Sequence, residues 1–157
     1  MFIKTVHLSP KKFIGKQIQM SLSNNRTAEL WKDFMSNRFK ISNAISSDLY
    51  SLQIYNPDYF KNFSPHTEFT KWALTEVEDF SILAEGFETF ELQAGLYAVF
   101  LHKGDKSAFI NTLNFIFKEW LPNSGYQLDT RPHFELLTER YKNNSPESEE
   151  EVWIPIV

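Results

Sequence analysis

The sequence predicts an α+β fold with antiparallel strands and two main helices on one side. Three observations support this. Short segments alternate apolar and polar residues with the period of a strand. Two longer segments repeat apolar residues with the period of a helix. The order strand, strand, helix, strand, strand then occurs twice along 157 residues. Neither half could bury its helix well alone, so the two halves, about 1–80 and 81–157, are expected to form a single domain about a pseudo-twofold axis. Such an arrangement leaves a groove between the helices, a common place for a ligand.

In the first half, FIKTVHL (2–8) alternates as a strand and SPKK (9–12) turns the chain. FIGKQIQMSL (13–22) is a second strand, with Ile14, Lys16, Ile18 and Met20 on one face and Phe13, Gln17 and Gln19 on the other. Asn24, Asn25 and Thr27 supply helix-start chemistry, and Glu29 suits the positive end of the helix dipole. Leu30, Trp31, Phe34 and Met35 then share a helical face, giving a helix over about 27–38. DLYSLQIY (48–55) and EFTKWALTEV (68–77) read as strands. Between them lies a loop with two prolines and many aromatics, and 78–86 reads as a connector.

The second half repeats the order. FETFEL (87–92) and LYAVFLH (96–102) are strands around a short turn. After KGDKS (103–107), Phe109, Leu113, Ile116, Phe117 and Trp120 form an apolar helical stripe. LPNSG (121–125) is expected to stop that helix through its proline and glycine. HFELLTER (133–140) and EVWIPIV (151–157) complete the strands, with a polar, acidic surface loop between them.

Composition narrows the function. The net charge of −4, with no block of Lys and Arg, gives no footprint for nucleic acid. No cysteine is present, which excludes disulfides, thiol nucleophiles and thiolate metal sites. His7, His66, His102 and His133 stand alone, without a second ligand at metal spacing, so neither a metal nor a cofactor is expected. No phosphate-binding glycine loop and no G-x-S-x-G elbow occur. The first residues do not read as a signal peptide, and no apolar run approaches a membrane span, so a cytoplasmic protein is expected. On that reading the glycosylation-like triplets at Asn25, Asn62 and Asn143 are chance matches. Aromatic residues reach 16%, so either the core or a pocket must be aromatic.

Several segments carry a resemblance: LYAVFLHKG (96–104), EWLPNSGYQLDTRPHFE (119–135), the ending EEEVWIPIV (149–157) and, in the first half, KWALTEV (71–77). Together they resemble the GyrI-like small-molecule-binding family, the effector-binding domain of AraC-type activators. The resemblance implies tandem βαββ-type repeats around a central cleft. It also implies a cleft glutamate among aromatics that binds cationic or polar aromatic ligands, and by motif this is Glu135. Without the resemblance, Glu135 reads as a solvent-facing strand residue, as most glutamates are, on one face with His133, Leu137 and Glu139; alternation itself does not say which face is covered.

Around Glu135, Trp72 and Tyr97 are expected as aromatic walls, because both lie in the matching segments. Tyr50 is taken as the first-half counterpart of Glu135, or else as a plain strand aromatic. Phe60 and Phe63 are expected as a lid, or else as a satellite cluster under their loop. The run ESEEE (147–151) reads as a solvated loop.

Three functions follow from the resemblance. The leading one is stand-alone binding of small amphipathic, aromatic or cationic molecules, as in effector-binding or drug-sensing domains. The alternative is a hydrolase opening electrophilic, cyclopropane-type toxic molecules, with Glu135 as its catalytic group. The third is a protective protein whose partner is DNA gyrase. Family activators carry a helix-turn-helix region ahead of this domain. No such region precedes the match here, so direct nucleic-acid binding is not expected.

Overall fold

A computed structural model describes residues 1–157. Eight strands form one antiparallel sheet: β1 (Phe2–Leu8), β2 (Lys11–Met20), β3 (Leu49–Ile54), β4 (Phe69–Val77), β5 (Glu88–Leu92), β6 (Gly95–Lys103), β7 (His133–Leu137) and β8 (Glu149–Pro155). Helix α1 (Thr27–Asn37) follows β2, and α2 (Lys106–Asn114) follows β6. The strand order across the sheet is β1-β6-β8-β7-β3-β4-β2-β5. Exchanging β1–β4 with β5–β8 reverses that order onto itself, as a twofold axis between β3 and β7 requires.

The registers carry the symmetry down to single residues. Leu8 lies beside Gly95, and Lys11 lies beside Leu92. The correspondence that carries Leu8 to Leu92 and Phe13 to Tyr97 also carries Tyr50 to Phe134, all buried in one cluster. The same correspondence carries Ser51 to Glu135. These two residues face each other across the β3–β7 ladder, so the axis passes between them. On the flanking strands, the registers carry Lys71 of β4 to Glu150 of β8. Lys71 neighbours Ile18 and Glu150 neighbours His102, which are themselves counterparts.

Both faces of the sheet are buried. On one face α1 packs over Ile14, Ala73 and Val77 through Leu30 and Phe34. On the same face α2 and its continuation pack over Ala98, Phe100, Val152 and Ile154. The other face holds eleven buried residues, among them Phe13, Tyr50, Leu52, Trp72, Leu74, Tyr97, Phe134 and Trp153. No helix covers this second face; the strands curl around their own side chains, as a coiled, twisted sheet allows.

Two strand boundaries differ from expectation, whereas the second helix ends inside the expected segment, at its glycine and past its proline. It passes through a π-type stretch (Phe115–Trp120) into a last turn (Leu121–Ser124) and ends at Gly125, whose φ is +80°. In the wider stretch the Leu121 N–H reaches back to the carbonyl of Ile116. That shift accommodates Pro122, which has no N–H to offer. Strand β7 ends at Leu137, and β8 begins at Glu149, so three of the five residues of the acidic run, Glu149, Glu150 and Glu151, belong to a strand.

Gly15 of β2 is fixed by close approach. A Cβ there would run into the carbonyl of Ala73 on the paired strand and the side chain of Leu74. Gly15→Ala is expected to destabilise the fold by about 1–3 kcal/mol, the usual cost of overpacking. Urea denaturation of the two proteins measures the difference.

Candidate functional site

Between the helices, over the twofold axis, lies a cleft of ≈560 Å³. Helix α1 lines one side with Thr27, Ala28, Trp31 and Met35. These recur at the spacing of one helical face, one step round from the buried Leu30 and Phe34. The floor comes from four adjacent strands: Lys71 of β4, Leu49 and Ser51 of β3, Glu135 and Leu137 of β7, and Glu150 of β8. Lys106, the first residue of α2, and Tyr141 and Asn143, from the loop before β8, complete the rim.

The floor is a charged strip within apolar walls. Only one hydrogen bond reaches the Glu135 carboxylate, from Gln53 Nε2 to Oε1 at 3.1 Å. None of the ion pairs of the chain involves Glu135, Glu150 or Lys71. Burial raises the Glu135 carboxyl above the ordinary range, against the opposing charge of Lys71 and the Gln53 bond. Burial, assisted by the charge of Glu135, pushes Glu150 up to about 8. Burial lowers the Lys71 ammonium; the two carboxylates oppose that, and Lys106 adds to it. Each of these charges costs free energy that no partner in the chain repays in full. Opposite charges brought into the cleft would offset these costs.

Of the residues expected from the sequence, Glu135 alone lies in the cleft. Trp72 and Tyr97 do not wall it. Both are buried in the opposite face of the sheet, where Trp72 packs on Phe90, and the Tyr97 hydroxyl donates to the carbonyl of Pro132 at 2.8 Å. The reason is parity: Trp72 and Lys71 are neighbours on one strand, so one faces the core and the other the cleft. Tyr50 is also in that core, edge-on to Phe13, and the counterpart of Glu135 is Ser51.

Phe60 and Phe63 do not cover the cleft. Phe60 stacks on His133 and Phe117, with ring centres 5.5 and 5.8 Å away, and Phe63 packs on Tyr59. They form the satellite cluster. His133 lies two residues before Glu135 on the same face, so this stack bounds the floor at one end.

Five functional candidates escaped the sequence reading: Trp31, Met35, Lys71, Tyr141 and Glu150. Trp31 read as core because of its helical spacing; it packs edge-on to Phe34 and still lines the cleft. Glu150 was hidden in the acidic run. Its signal was its place opposite His102 once β8 extends to Glu149.

Comparison with known proteins places this geometry. The sequence profile described as "GyrI-like small molecule binding domain" matches residues 1–157. No curated protein matches the chain. Among solved structures, SAV2435 bound to tetraphenylphosphonium is similar at 15% identity and TM-score 0.71, covering 100% of this chain and 94% of that one. The EcmrR–DNA complex is similar at 16% identity and TM-score 0.71, covering 98% of this chain and 56% of that chain. A hydrolase encoded by lin2189 from Listeria innocua is similar at 9% identity and TM-score 0.62, with 98% and 91% covered. At such identities the likeness is one of fold. No helix of the chain is long and apolar enough to cross a membrane.

The raised carboxyls give stability a pH dependence of known sign. A carboxyl raised in the folded state contributes stability that is complete below its ordinary 4.5 and is lost as pH rises through about 8. His133, pushed down to about 3 by burial, acts in the opposite sense: its contribution is lost as pH falls from 6.5 through about 3. Above pH 6.5 the carboxyl effect stands clear of His133. From there to about pH 8.5, the wild-type Tm is expected to fall relative to that of Glu150→Gln. Parallel thermal melts across that range test it.

Proposed function

The chain belongs to the GyrI-like small-molecule-binding family, and from that premise we propose that its cleft binds amphipathic molecules that are aromatic and cationic. The observation that carries this reading is the Glu135 carboxylate, which sits on the cleft floor with one amide hydrogen bond and no ion pair. A ligand cation would supply the missing counter-charge. Trp31, Met35, Leu49, Leu137 and Tyr141 would receive its flat apolar body. Tetraphenylphosphonium, bound by a protein of the same fold, has this combination of charge and rings and is the natural first probe. Glu135 serves here as an anchor. Recovery of the probe and related ligands unchanged supports binding. Conversion by wild type that is lost in Glu135→Gln would move the reading to hydrolysis.

Two expected outcomes follow. Glu135→Gln keeps the shape and removes the charge, so it should weaken tetraphenylphosphonium by about 1–3 kcal/mol, the order of a partly screened Coulomb attraction between unit charges that the phenyl groups hold several ångströms apart. The variant should melt no lower than wild type, because a desolvated charge is gone. Equal affinity in isothermal titration would remove Glu135 from the site. The second outcome concerns pH. Ionised carboxylates attract the cation and protonated ones do not, so wild-type affinity should rise with pH, most steeply near the value of about 8 at Glu150. Titrations at fixed ionic strength test this, and a flat profile counts against the site.

A further inference from the structure

A binder of simple cations needs no lysine on its floor. Lys71 is nevertheless there, on the helix-facing side of β4, next to Gln53 in register. No hydrogen bond or ion pair of the chain engages its ammonium. A second ammonium, Lys106 of α2, borders the same cleft and lies close enough for its charge to disfavour that of Lys71. Across the axis, the counterpart position holds Glu150, and the axis itself holds Glu135 opposite Ser51. The twofold that makes the cleft symmetric in shape therefore leaves it asymmetric in charge. The Lys71 ammonium serves the β4 side of the floor, and carboxylates serve the axis and the opposite strand.

We propose that the cleft is a site for amphoteric aromatic ligands, in which Lys71 receives an anionic group while Glu135 and Glu150 receive a cationic one. The proposal rests on the cleft being the ligand site and adds the class of ligand. The physical ground is charge compensation within the floor. A cation alone would satisfy a carboxylate and repel the half-buried ammonium. An anion alone would do the reverse. A molecule with both charges on a rigid aromatic frame answers both, and its two charges fix its orientation. Thr27 and Asn143 at the border and Ser51 on the floor add polar groups without adding charge.

The test uses two dyes with one xanthene frame: rhodamine 110, which carries a free carboxylate, and rhodamine 123, its methyl ester. Tetraphenylphosphonium is the third probe. Wild type, Lys71→Met, Lys71→Arg and Glu135→Gln are titrated by fluorescence anisotropy or calorimetry, with thermal melts to confirm folding. Wild type is expected to prefer rhodamine 110. Lys71→Met should weaken rhodamine 110 at least tenfold and leave rhodamine 123 and tetraphenylphosphonium equal or tighter. Lys71→Arg, which keeps the charge, should keep the preference for the free acid. Glu135→Gln should weaken all three probes. If Lys71→Met changes both dyes alike, or if wild type prefers the ester, the proposal is overturned while the cation site stands. If wild type binds none of the three, the cleft reading and this proposal fall together.

Discussion

Everything in this structure turns on the pairing of β3 with β7 across the pseudo-twofold axis. That ladder joins the two halves into one sheet, and its central pair is Ser51 and Glu135. A symmetric chain would place the same residue at both positions. Two glutamates there would face each other across adjacent strands, and like charges directly opposite are destabilising. Serine against glutamate avoids that repulsion and leaves one carboxylate over the axis. It also leaves room. The small serine, with Gln53 beside it donating to Glu135, keeps the middle of the floor low where larger strand residues would fill it. The cleft is thus a consequence of how the halves meet.

The second constraint is that both faces of the sheet are buried, for different reasons. One face is covered by helices that stand apart over the axis. The other is covered by the curl of the strands and filled by eleven large, mostly aromatic residues. Six of these eleven residues are aromatic, and Phe90 packs against them. Aromatic rings bury much area per residue, which a single curled layer without a covering helix requires. The cleft receives fewer rings, Trp31 and Tyr141, and a larger share of charge.

This division explains which parts of the molecule were legible in the sequence. Strand and helix periods, with β-favouring runs bounded by turn residues, located all eight strands and both main helices to within a few residues. Glu135 was legible through its motif. The walls of its cleft were not, because alternation states that Trp72 and Lys71 point opposite ways without stating which way is the cleft. When both faces are buried, hydrophobicity no longer decides between them. Trp72 and Tyr97 followed the closed face. Lys71 followed the open one, where a lysine in an apolar strand reads first as an exposed stem. Glu150 was invisible for another reason. Consecutive glutamates look like a solvated loop, and only pairing with β6 turns alternate members inward.

The same asymmetry ties the fold to the proposed class of ligand. The unliganded floor lowers its cost by moving protons: the carboxyls hold theirs longer, and the lysine gives its own up sooner. A ligand that brings the matching charges reverses both shifts, drawing the carboxyls toward ionisation and the lysine toward protonation. A cation alone releases protons from Glu135 and Glu150. An anion alone takes up a proton at Lys71. An amphoteric ligand does both, and the two exchanges offset. Compensated proton exchange makes binding less dependent on pH than either half-interaction would be. A floor with one kind of charge has no route to that behaviour, whereas Lys71 and Glu150, related by the twofold yet opposite in sign, supply it.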